Sequence, residues 1–526
     1  MASYFTTRVL FLRSLATVYL VAFVISLQQS PSLIGDDGLL PACAFLGRFS
    51  GTPRLQAFLQ VPTLLHFGCS TAVLQGLAAV GAALSVVVLV LGRANAPIML
   101  TLWALQHSII GVGQNFWSFG WESQLLETGF LGVFVVPAWS LTRSGSAASP
   151  VSIVPVMAFR FLIFRIMLGA GLIKVRGDAC WLDNISTAPC MAFHYETQPV
   201  PNPASWYFHM LPLWVQSAST WVNHVVELPA PFLLWMGRKF RILGGVVQVL
   251  FQVVLISSGN LSFLNHLTIL PSLWAFDDAA LAVCSRRRAP VQPKLAAVED
   301  KEEDVPDAVP HVDASSVFSV RFFVSTALGV LIAYLSTPVV MNLLSRRQAM
   351  NTSFEPFRLV NTYGAFGSVG KTRPEIVVLG TNSSTIGADT VWYPYEFPCK
   401  PTAIDRRPCL LSPFHYRMDW LMWFAAMASY QQYPWLVHLT GKLLAGDASA
   451  HAFFVDNPFP DPATPPTFIK FDLVDMKFTP TSLAAAAGTT VGRWWTRRPL
   501  REYLPPLSLE NPSLQQFLDG YGWKLQ

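Results

Sequence analysis

Four charged side chains lie in or beside long apolar segments of the sequence. They are Glu122, Glu127, Arg160 and Arg165. An isolated charge is costly in an apolar environment, so such residues are expected to pair with one another or to face a polar cavity. We therefore predict that the two carboxylates bridge the two guanidinium groups and hold neighbouring helices together. A polar cavity with a function of its own is the alternative, although the sequence shows no catalytic constellation beside it.

His224 and Glu227 could take part in metal binding. Their three-residue spacing places both side chains on one face of a helix, and further ligands would complete a site. Neither an HExxH nor a CxxC motif occurs in the sequence, so we predict hydrogen bonds between helices instead. No metal or other cofactor is expected, and structural lipids are the expected small molecules.

Four of the seven cysteines form two pairs with the same spacing of ten residues. Cys180 is followed by Cys190, and Cys399 by Cys409. Disulfides persist outside the cytosol and are rare within it, and the charge pattern of the chain places both pairs on the non-cytoplasmic side. We predict the bridges Cys180–Cys190 and Cys399–Cys409, with free buried thiols as the alternative.

The composition is that of a membrane protein. Hydrophobic residues make up 52% of the 526 residues and charged residues only 13%, whereas soluble domains are about one quarter charged. The net charge of +5 is modest and fits basic loops at a membrane better than a nucleic-acid surface. Membrane lipids are therefore expected partners, and nucleic acid is not.

A membrane-spanning helix needs ~20 mostly apolar residues, and by this measure we predict about nine spans. They are 8–28, 61–91, 97–113, 124–141, 151–173, 219–236, 242–258, 260–283 and 321–344. Basic residues favour the cytoplasmic side, which assigns to that side Arg93, Arg143, Arg238–Arg241 and Arg286–Arg288. The other side receives the loops 29–60, 114–123 and 174–218 and everything after 345, although Arg346 and Arg347 disagree with this orientation.

These segments define the predicted domains. A polytopic α-helical bundle occupies 1–288, with the non-cytoplasmic loop at 174–218. A disordered acidic linker follows at 289–316, because its low hydrophobicity and clustered acids cannot form a core. The last transmembrane helix is 317–345, and 346–526 is a non-cytoplasmic α+β domain with a small β-sheet or sandwich.

Two groups of residues on the non-cytoplasmic side could be modified or could bind partners. Asn-x-Ser/Thr sequons predict glycosylation of Asn184, Asn351 and Asn382. Exposed aromatic and basic side chains are the expected partner-binding surface, and for the tryptophans a place in the core is the alternative. The expected residues are Trp420, Trp423, Trp494, Trp495, Arg497 and Arg498.

Several long motifs carry a resemblance to a known family. KVRGDACW at 174–181 and FHYETQPVPNP at 193–203 closely resemble the lipase maturation factors. FGWESQLLETGF at 119–130 and NTYGAFGS at 361–368 are similar to further motifs of this family. The segment from Cys399 to Phe424 resembles its C-terminal domain, and the likeness extends from about residue 8 to the end.

The resemblance implies a multi-pass protein of the endoplasmic reticulum membrane that is not an enzyme. Such proteins help dimeric lipases to fold and assemble, and they bind clients and oxidoreductases through the luminal C-terminal region. The alternative is a structural accessory subunit of a large membrane complex, for example a respiratory assembly of the mitochondrial inner membrane. Native mass and glycosylation distinguish the two.

Overall fold

The computed structural model describes residues 3–141, 151–285, 314–480, 493–523 and 525. Most of the predicted linker at 289–316 lies outside these residues, and 314–316 begin a helix. Arg143 and Arg286–Arg288 also lie outside them.

The α-helices are numbered in chain order. They are α1 (Phe5–Ile34), α2 (Ala42–Gly47), α3 (Arg54–Gln60), α4 (Thr71–Leu91), α5 (Ala96–Val112), α6 (Gly120–Val133), α7 (Ile153–Val175), α8 (Met191–Thr197), α9 (Pro203–His209), α10 (Leu213–Glu227), α11 (Arg238–Ser258), α12 (Leu264–Ser272), α13 (Asp278–Ser285), α14 (Ala314–Leu344), α15 (Arg417–Ala426), α16 (Pro434–Leu444), α17 (Ala448–His451) and α18 (Pro512–Tyr521). Short 3₁₀ helices lie at Leu64–Phe67, Gln114–Trp117, Ala179–Trp181, Ala230–Trp235, Leu273–Ala275 and Tyr430–Gln432.

Five of the described helices are long and apolar enough to cross a membrane, namely α1, α4, α7, α11 and α14. The predicted count of about nine spans is not confirmed. Helices α5, α6, α10 and α12 contain only 17, 14, 15 and 9 residues. At 1.5 Å per residue, a 14-residue helix is roughly 21 Å long, which is less than the ~30 Å hydrocarbon core. Apolar composition alone did not show that these segments are broken.

Polar caps and one glycine set the helix ends within this apolar sequence. Ser70 accepts a hydrogen bond from the amide of Val73 at the start of α4 (3.2 Å). Gly92 ends α4 with φ +63°, a left-handed conformation that glycine adopts without steric cost. Asn95 then caps α5 by accepting from the amide of Ile98 (3.1 Å). The short turn between these caps places α4 and α5 side by side.

The C-terminal domain is α+β and contains one four-stranded antiparallel sheet in the order β2-β1-β3-β4. The strands are β1 (Pro374–Thr381), β2 (Tyr393–Tyr395), β3 (Phe468–Phe478) and β4 (Trp495–Leu507). Alternate side chains of a strand point to opposite faces. On one face Ile376, Val378 and Phe471 join the main core, where α15 and α16 pack on the sheet.

The opposite face of the sheet is covered by the 174–218 loop. Val474, Met476 and Phe478 of β3 pack in one cluster with Trp206 of α9 and Met210 beyond it. The indole nitrogen of Trp206 donates to the carbonyl of Thr479 (3.0 Å). The second layer over the sheet is therefore helical and comes from an earlier part of the chain, and the described residues of the domain form one sheet and not a sandwich.

The C-terminal domain contacts connections that the charge pattern assigns to one side. Trp423 donates to the carbonyl of Thr197 (3.0 Å), and Gln29, near the end of α1, donates to the carbonyl of His415 (2.9 Å). The C-terminal domain therefore lies at the end of the bundle that carries the end of α1 and the 174–218 loop.

The basic cluster at the start of α11 lies at the opposite end of the bundle. Arg238 and Arg241 pair with Asp277 at 2.7 and 2.9 Å. The other end of α11 faces the 174–218 loop, where Asn202 donates to the carbonyl of Ser257 (3.0 Å). The start of α11 and the C-terminal domain therefore lie at opposite ends of the bundle.

Candidate functional site

A buried ion pair joins the C-terminal domain to α6. Arg417, the first residue of α15, lies 2.6 Å from Glu122, and both side chains are 0% exposed. The guanidinium also donates to the carbonyl of Phe116 (2.8 Å) and lies 4.0 Å from the ring centroid of Trp117. Gln29 accepts from the Arg417 amide (2.8 Å). Salt bridge, aromatic ring and backbone contacts therefore fix the start of α15 against the helices.

A second buried centre surrounds Glu127. Its carboxylate pairs with Arg165 and accepts from the Asn361 amide (3.0 Å) and the Tyr363 hydroxyl (2.7 Å). Arg165 also donates to the carbonyl of Asn361 (2.7 Å). Burial raises the pKa of Tyr363, so its hydroxyl stays protonated and can donate. This centre holds the 361–363 segment against α6 and α7.

The structure corrects the predicted pairing of the four intramembrane charges. Glu127 and Arg165 pair, but Glu122 pairs with Arg417 instead of an arginine of α7. Arg160 donates to the carbonyl of Trp274 (3.0 Å) and to the hydroxyl of Tyr4 (2.6 Å). Glu122 therefore faces the C-terminal domain, whereas Arg160 faces Tyr4, just before α1, and the backbone of Trp274. The charged groups hold helices and domain together.

Sequence reasoning missed a third centre, which joins the sheet to the 174–218 loop. Glu375 lies 2.8 Å from both Arg373 and Lys400, and all three side chains are 0% exposed. Burial lowers the pKa of Arg373. Its guanidinium donates to three carbonyls of the loop, those of Glu196, Gln198 and Pro199. The sequence contains a signal for this centre, an Arg-Pro-Glu triplet directly before an apolar run. Residues two apart in a strand share a face, so the triplet predicts that Arg373 and Glu375 lie side by side.

His224 and Glu227 take part in contacts within the bundle. The Lys174 ammonium lies 2.5 Å from Glu227, and Asn223 donates to the same carboxylate (2.9 Å). His224 Nε2 lies 2.6 Å from the carbonyl oxygen of Trp181. Within the part of the chain that the structure describes, no group of three His, Cys, Asp or Glu residues could hold a metal ion.

Three disulfides brace the same side of the protein. The bridges Cys180–Cys190 and Cys399–Cys409 are present, as predicted. A third bridge, Cys43–Cys69, was not assigned from the sequence. It closes the connection between α1 and α4, which contains α2 and α3.

Asp419 supports the Cys399–Cys409 corner. Its carboxylate accepts from the amides of Cys399 (2.7 Å) and Lys400 (2.8 Å). Burial raises the pKa of Asp419 to about 7. Since this pKa lies above the ordinary aspartate value, the folded state binds more protons than the unfolded chain between the two values. This contribution to stability is therefore present at acidic pH and is lost as the pH rises towards 7.

Asp419→Asn should remove this pH dependence while retaining an acceptor for both amides. Between pH 5 and 7, the stability difference between wild type and variant is expected to change by up to about 1.4 kcal/mol per pH unit. The measurement is the unfolding midpoint of the detergent-solubilised protein across this range. Asp419→Ala, which loses the acceptor, should be less stable than the wild type throughout. Parallel pH profiles of wild type and Asp419→Asn would contradict the assignment.

The expected partner-binding residues divide into core and surface. Trp420 and Trp495 are 5% and 2% exposed, so they belong to the core, and the surface prediction is wrong for them. Trp423 and Trp494 are partly buried. Arg497 and Arg498 are exposed, within a run of exposed residues at 496–502. The outer strand β4 thus presents basic side chains beside its unpaired edge.

Close contact at Gly169 gives a prediction about the Glu127 centre. A Cβ atom at Gly169 would lie 2.4 Å from the carbonyl oxygen of Tyr363. Gly169→Ala should therefore push the 361–363 segment away from α7 and cost about 1–3 kcal/mol by overpacking. Gly76→Ala in α4 is the matched control, because nothing lies within 4 Å of that Cβ position. The measurement is the thermal unfolding midpoint in detergent. Equal midpoints for Gly169→Ala and Gly76→Ala would contradict the prediction.

The fold and these buried centres define a class of protein in which a helical membrane bundle carries a tightly docked α+β domain. Two family models match the chain, the lipase maturation factor transmembrane domain over residues 6–283 and the lipase maturation factor C-terminal domain over 359–505. The chain belongs to the lipase maturation factor family.

Similar proteins cover almost the whole chain. Lipase maturation factor 1 of Mus musculus is 50% identical over 99% of this chain and 90% of its own length. The Homo sapiens protein of the same name is 46% identical over 99% of this chain and 91% of its own. Lipase maturation factor 2 of Xenopus tropicalis is 29% identical over 98% and 84%. No solved structure matches the chain.

Proposed function

We propose that this protein is a non-enzymatic factor of the endoplasmic reticulum membrane that assists the folding and assembly of secreted lipases. The observation that carries the proposal is the similarity to proteins named lipase maturation factor 1 over 99% of the chain. The three disulfides support a compartment outside the cytosol. The buried charges support a structural role for the centres at Glu122, Glu127 and Glu375, because each is occupied by protein partners.

The exposed strand β4 is the surface that we assign to client binding. A terminal strand of a sheet has unpaired backbone groups that can contact another chain. Arg497, Arg498 and Arg501 are exposed along it, and arginine is enriched at protein interfaces. Pro499 interrupts the backbone donors within this strand, so the arginine side chains would make the principal contacts. An acidic surface on the client is the expected complement.

The test is rescue of a secreted lipase in cells that lack their own maturation factor. Wild-type protein should raise the activity of the secreted lipase per unit of lipase protein. The double variant Arg497→Ala/Arg498→Ala should lower this gain at least threefold. Arg346→Ala/Arg347→Ala is the matched control, because it removes an equally exposed arginine pair beyond α14, and it should rescue like wild type.

Two outcomes would overturn the proposal. One is correct integration and glycosylation without any gain in lipase activity or recovery of lipase with the protein. The other is recovery in fixed stoichiometry within one large membrane assembly, which would establish the accessory-subunit alternative. Equal rescue by both double variants would reject β4 as the client surface and leave the folding role intact.

Glycosylation gives a separate prediction about location. Asn184, Asn351 and Asn382 are exposed, so in the endoplasmic reticulum they should carry glycans that are removed by endoglycosidase. Each Asn→Gln variant should lose one step of the mobility shift in gel electrophoresis. The sequon at Asn260 is the internal control, since its buried side chain donates to the carbonyl of Cys409 (2.7 Å) and should carry no glycan. A protein without any glycan would favour the mitochondrial alternative.

A further inference from the structure

An open cavity of about 370 Å³ lies where the C-terminal domain meets the end of α5. Its three walls are the end of α3 and the residues after it, the last turns of α5, and the start of the C-terminal domain. The lining residues are Gln60, Val61, Pro62, His107, Gly111, Ser353, Phe354, Glu355, Pro356 and Arg358. We call it the Arg358 cavity. Its volume lies within the ~300–1,000 Å³ range of small-molecule sites.

Arg358 is the cation of this cavity. Among the described residues, its guanidinium forms no ion pair and donates no hydrogen bond, although the side chain is only partly exposed. The two nearest carboxylates are otherwise engaged. Glu355 accepts from the amides of Phe357 (2.7 Å) and Leu359, and Glu122 pairs with Arg417. A largely buried guanidinium with free donors is costly unless a ligand satisfies it.

The backbone holds Arg358 in a defined position. Its φ is +55°, a left-handed conformation that is unfavourable for a residue with a side chain. The carbonyl of Arg358 accepts from the Asn361 side chain (3.0 Å), and this amide also donates to Glu127 (3.1 Å). The conformation is therefore imposed by the buried Glu127 centre. Such imposed strain is concentrated at ligand sites.

The cavity lies beside the C-terminal end of α5 and has apolar side chains near it. His107, less than two turns from the end of α5, contacts both walls, with Nδ1 2.8 Å from the carbonyl oxygen of Pro62 and Nε2 3.2 Å from that of Pro356. Phe354 in the wall is 45% exposed, and Leu59 and Leu64, which flank the wall residues 60–62 in sequence, are 48% and 38% exposed. A cation bordered by exposed apolar side chains suits a ligand with a charged head and an apolar tail.

We propose that the Arg358 cavity binds a phosphate group, and that this group belongs to the headgroup of a phospholipid in the non-cytoplasmic leaflet. The fork of guanidinium donors matches the geometry of phosphate oxygens. Glu355 also lines the cavity, and its burial raises the pKa of the carboxyl group above the ordinary glutamate value. The acyl chains would extend along the exposed apolar side chains beside the cavity.

The test uses the full-length protein in mild detergent and three short-chain probes. They are dihexanoyl phosphatidic acid, dihexanoylglycerol without phosphate, and glycerol 3-phosphate without acyl chains. Binding is measured by native mass spectrometry and by the rise in the unfolding midpoint. The phosphatidic acid should bind at least tenfold more tightly than dihexanoylglycerol. If glycerol 3-phosphate binds as tightly as phosphatidic acid, the site takes free phosphate compounds, and the lipid source is rejected.

Variants connect this binding to Arg358. Arg358→Gln should weaken binding of phosphatidic acid about tenfold, as expected for one lost charge-assisted contact. Arg358→Lys retains the charge and should lose less. Arg54→Gln, at an exposed arginine at the start of α3, is the matched control and should bind like wild type. Unchanged binding of phosphatidic acid by Arg358→Gln would overturn the proposal. Equal binding of the two dihexanoyl lipids to the wild type would also overturn it, and this comparison does not depend on the folding of any variant.

Discussion

Replacing Arg417 with methionine is expected to release α15 from the membrane helices and to destabilise the protein by about 3–5 kcal/mol, the usual cost of removing one partner of a buried ion pair. Glu122 would remain at 0% exposure without its counter-ion. The carbonyl of Phe116 would lose its donor. The measurement is the thermal unfolding midpoint in detergent, together with the rate at which trypsin separates the C-terminal domain from the bundle.

The decisive control is the double variant Glu122→Gln/Arg417→Met. A buried neutral pair lacks the uncompensated charge, so the double variant should be more stable than Arg417→Met alone. Arg493→Met removes an exposed arginine of the same domain and should have almost no effect. If Arg417→Met and Arg493→Met unfold at the same temperature, the ion pair does not hold the domain to the bundle.

The second large effect is expected for Arg373→Met, which should also cost about 3–5 kcal/mol because it leaves a buried charge cluster and backbone carbonyls without a donor. The carbonyls of Glu196, Gln198 and Pro199 would each lose their contact with the guanidinium. Hydrogen exchange should therefore accelerate in α8 and α9, while α4 and α5 keep their protection.

Arg373→Lys separates charge from geometry. Lysine keeps the positive charge beside Glu375 but lacks the planar fork that reaches several carbonyls at once. It should therefore protect the loop better than methionine and less well than arginine. Equal protection of the loop in wild type and Arg373→Met would show that the sheet and the loop are held by their apolar contacts alone.

The class of fold could be predicted from local patterns. Apolar runs, basic clusters and equal cysteine spacing are properties of neighbouring residues, and they identified the membrane helices and the bridges Cys180–Cys190 and Cys399–Cys409. The number of spans could not be obtained in this way. Apolar composition is shared by a continuous spanning helix and by the short helices α6 and α12.

The buried ion pairs could be predicted from local sequence patterns only in part. Glu127 and Arg165 lie on consecutive helices, and their pairing was predicted. Glu122 pairs with a residue 295 positions away in the sequence. Local sequence patterns do not predict a pair with so large a separation. Arg373 and Lys400 were missed because charges in a domain of mixed structure are ordinarily at its surface. Their burial depends on a loop that covers the sheet from another part of the chain.

The coverage of the sheet by α9 has a consequence for biosynthesis. The residues around Trp206 leave the ribosome long before β3, whose apolar face they cover. Until the last strands are made, this part of the 174–218 loop has no sheet to pack against, and an isolated C-terminal fragment would expose Val474, Met476 and Phe478 to water. The docking of α9 therefore cannot precede the synthesis of β3, which follows it by more than 250 residues in the chain.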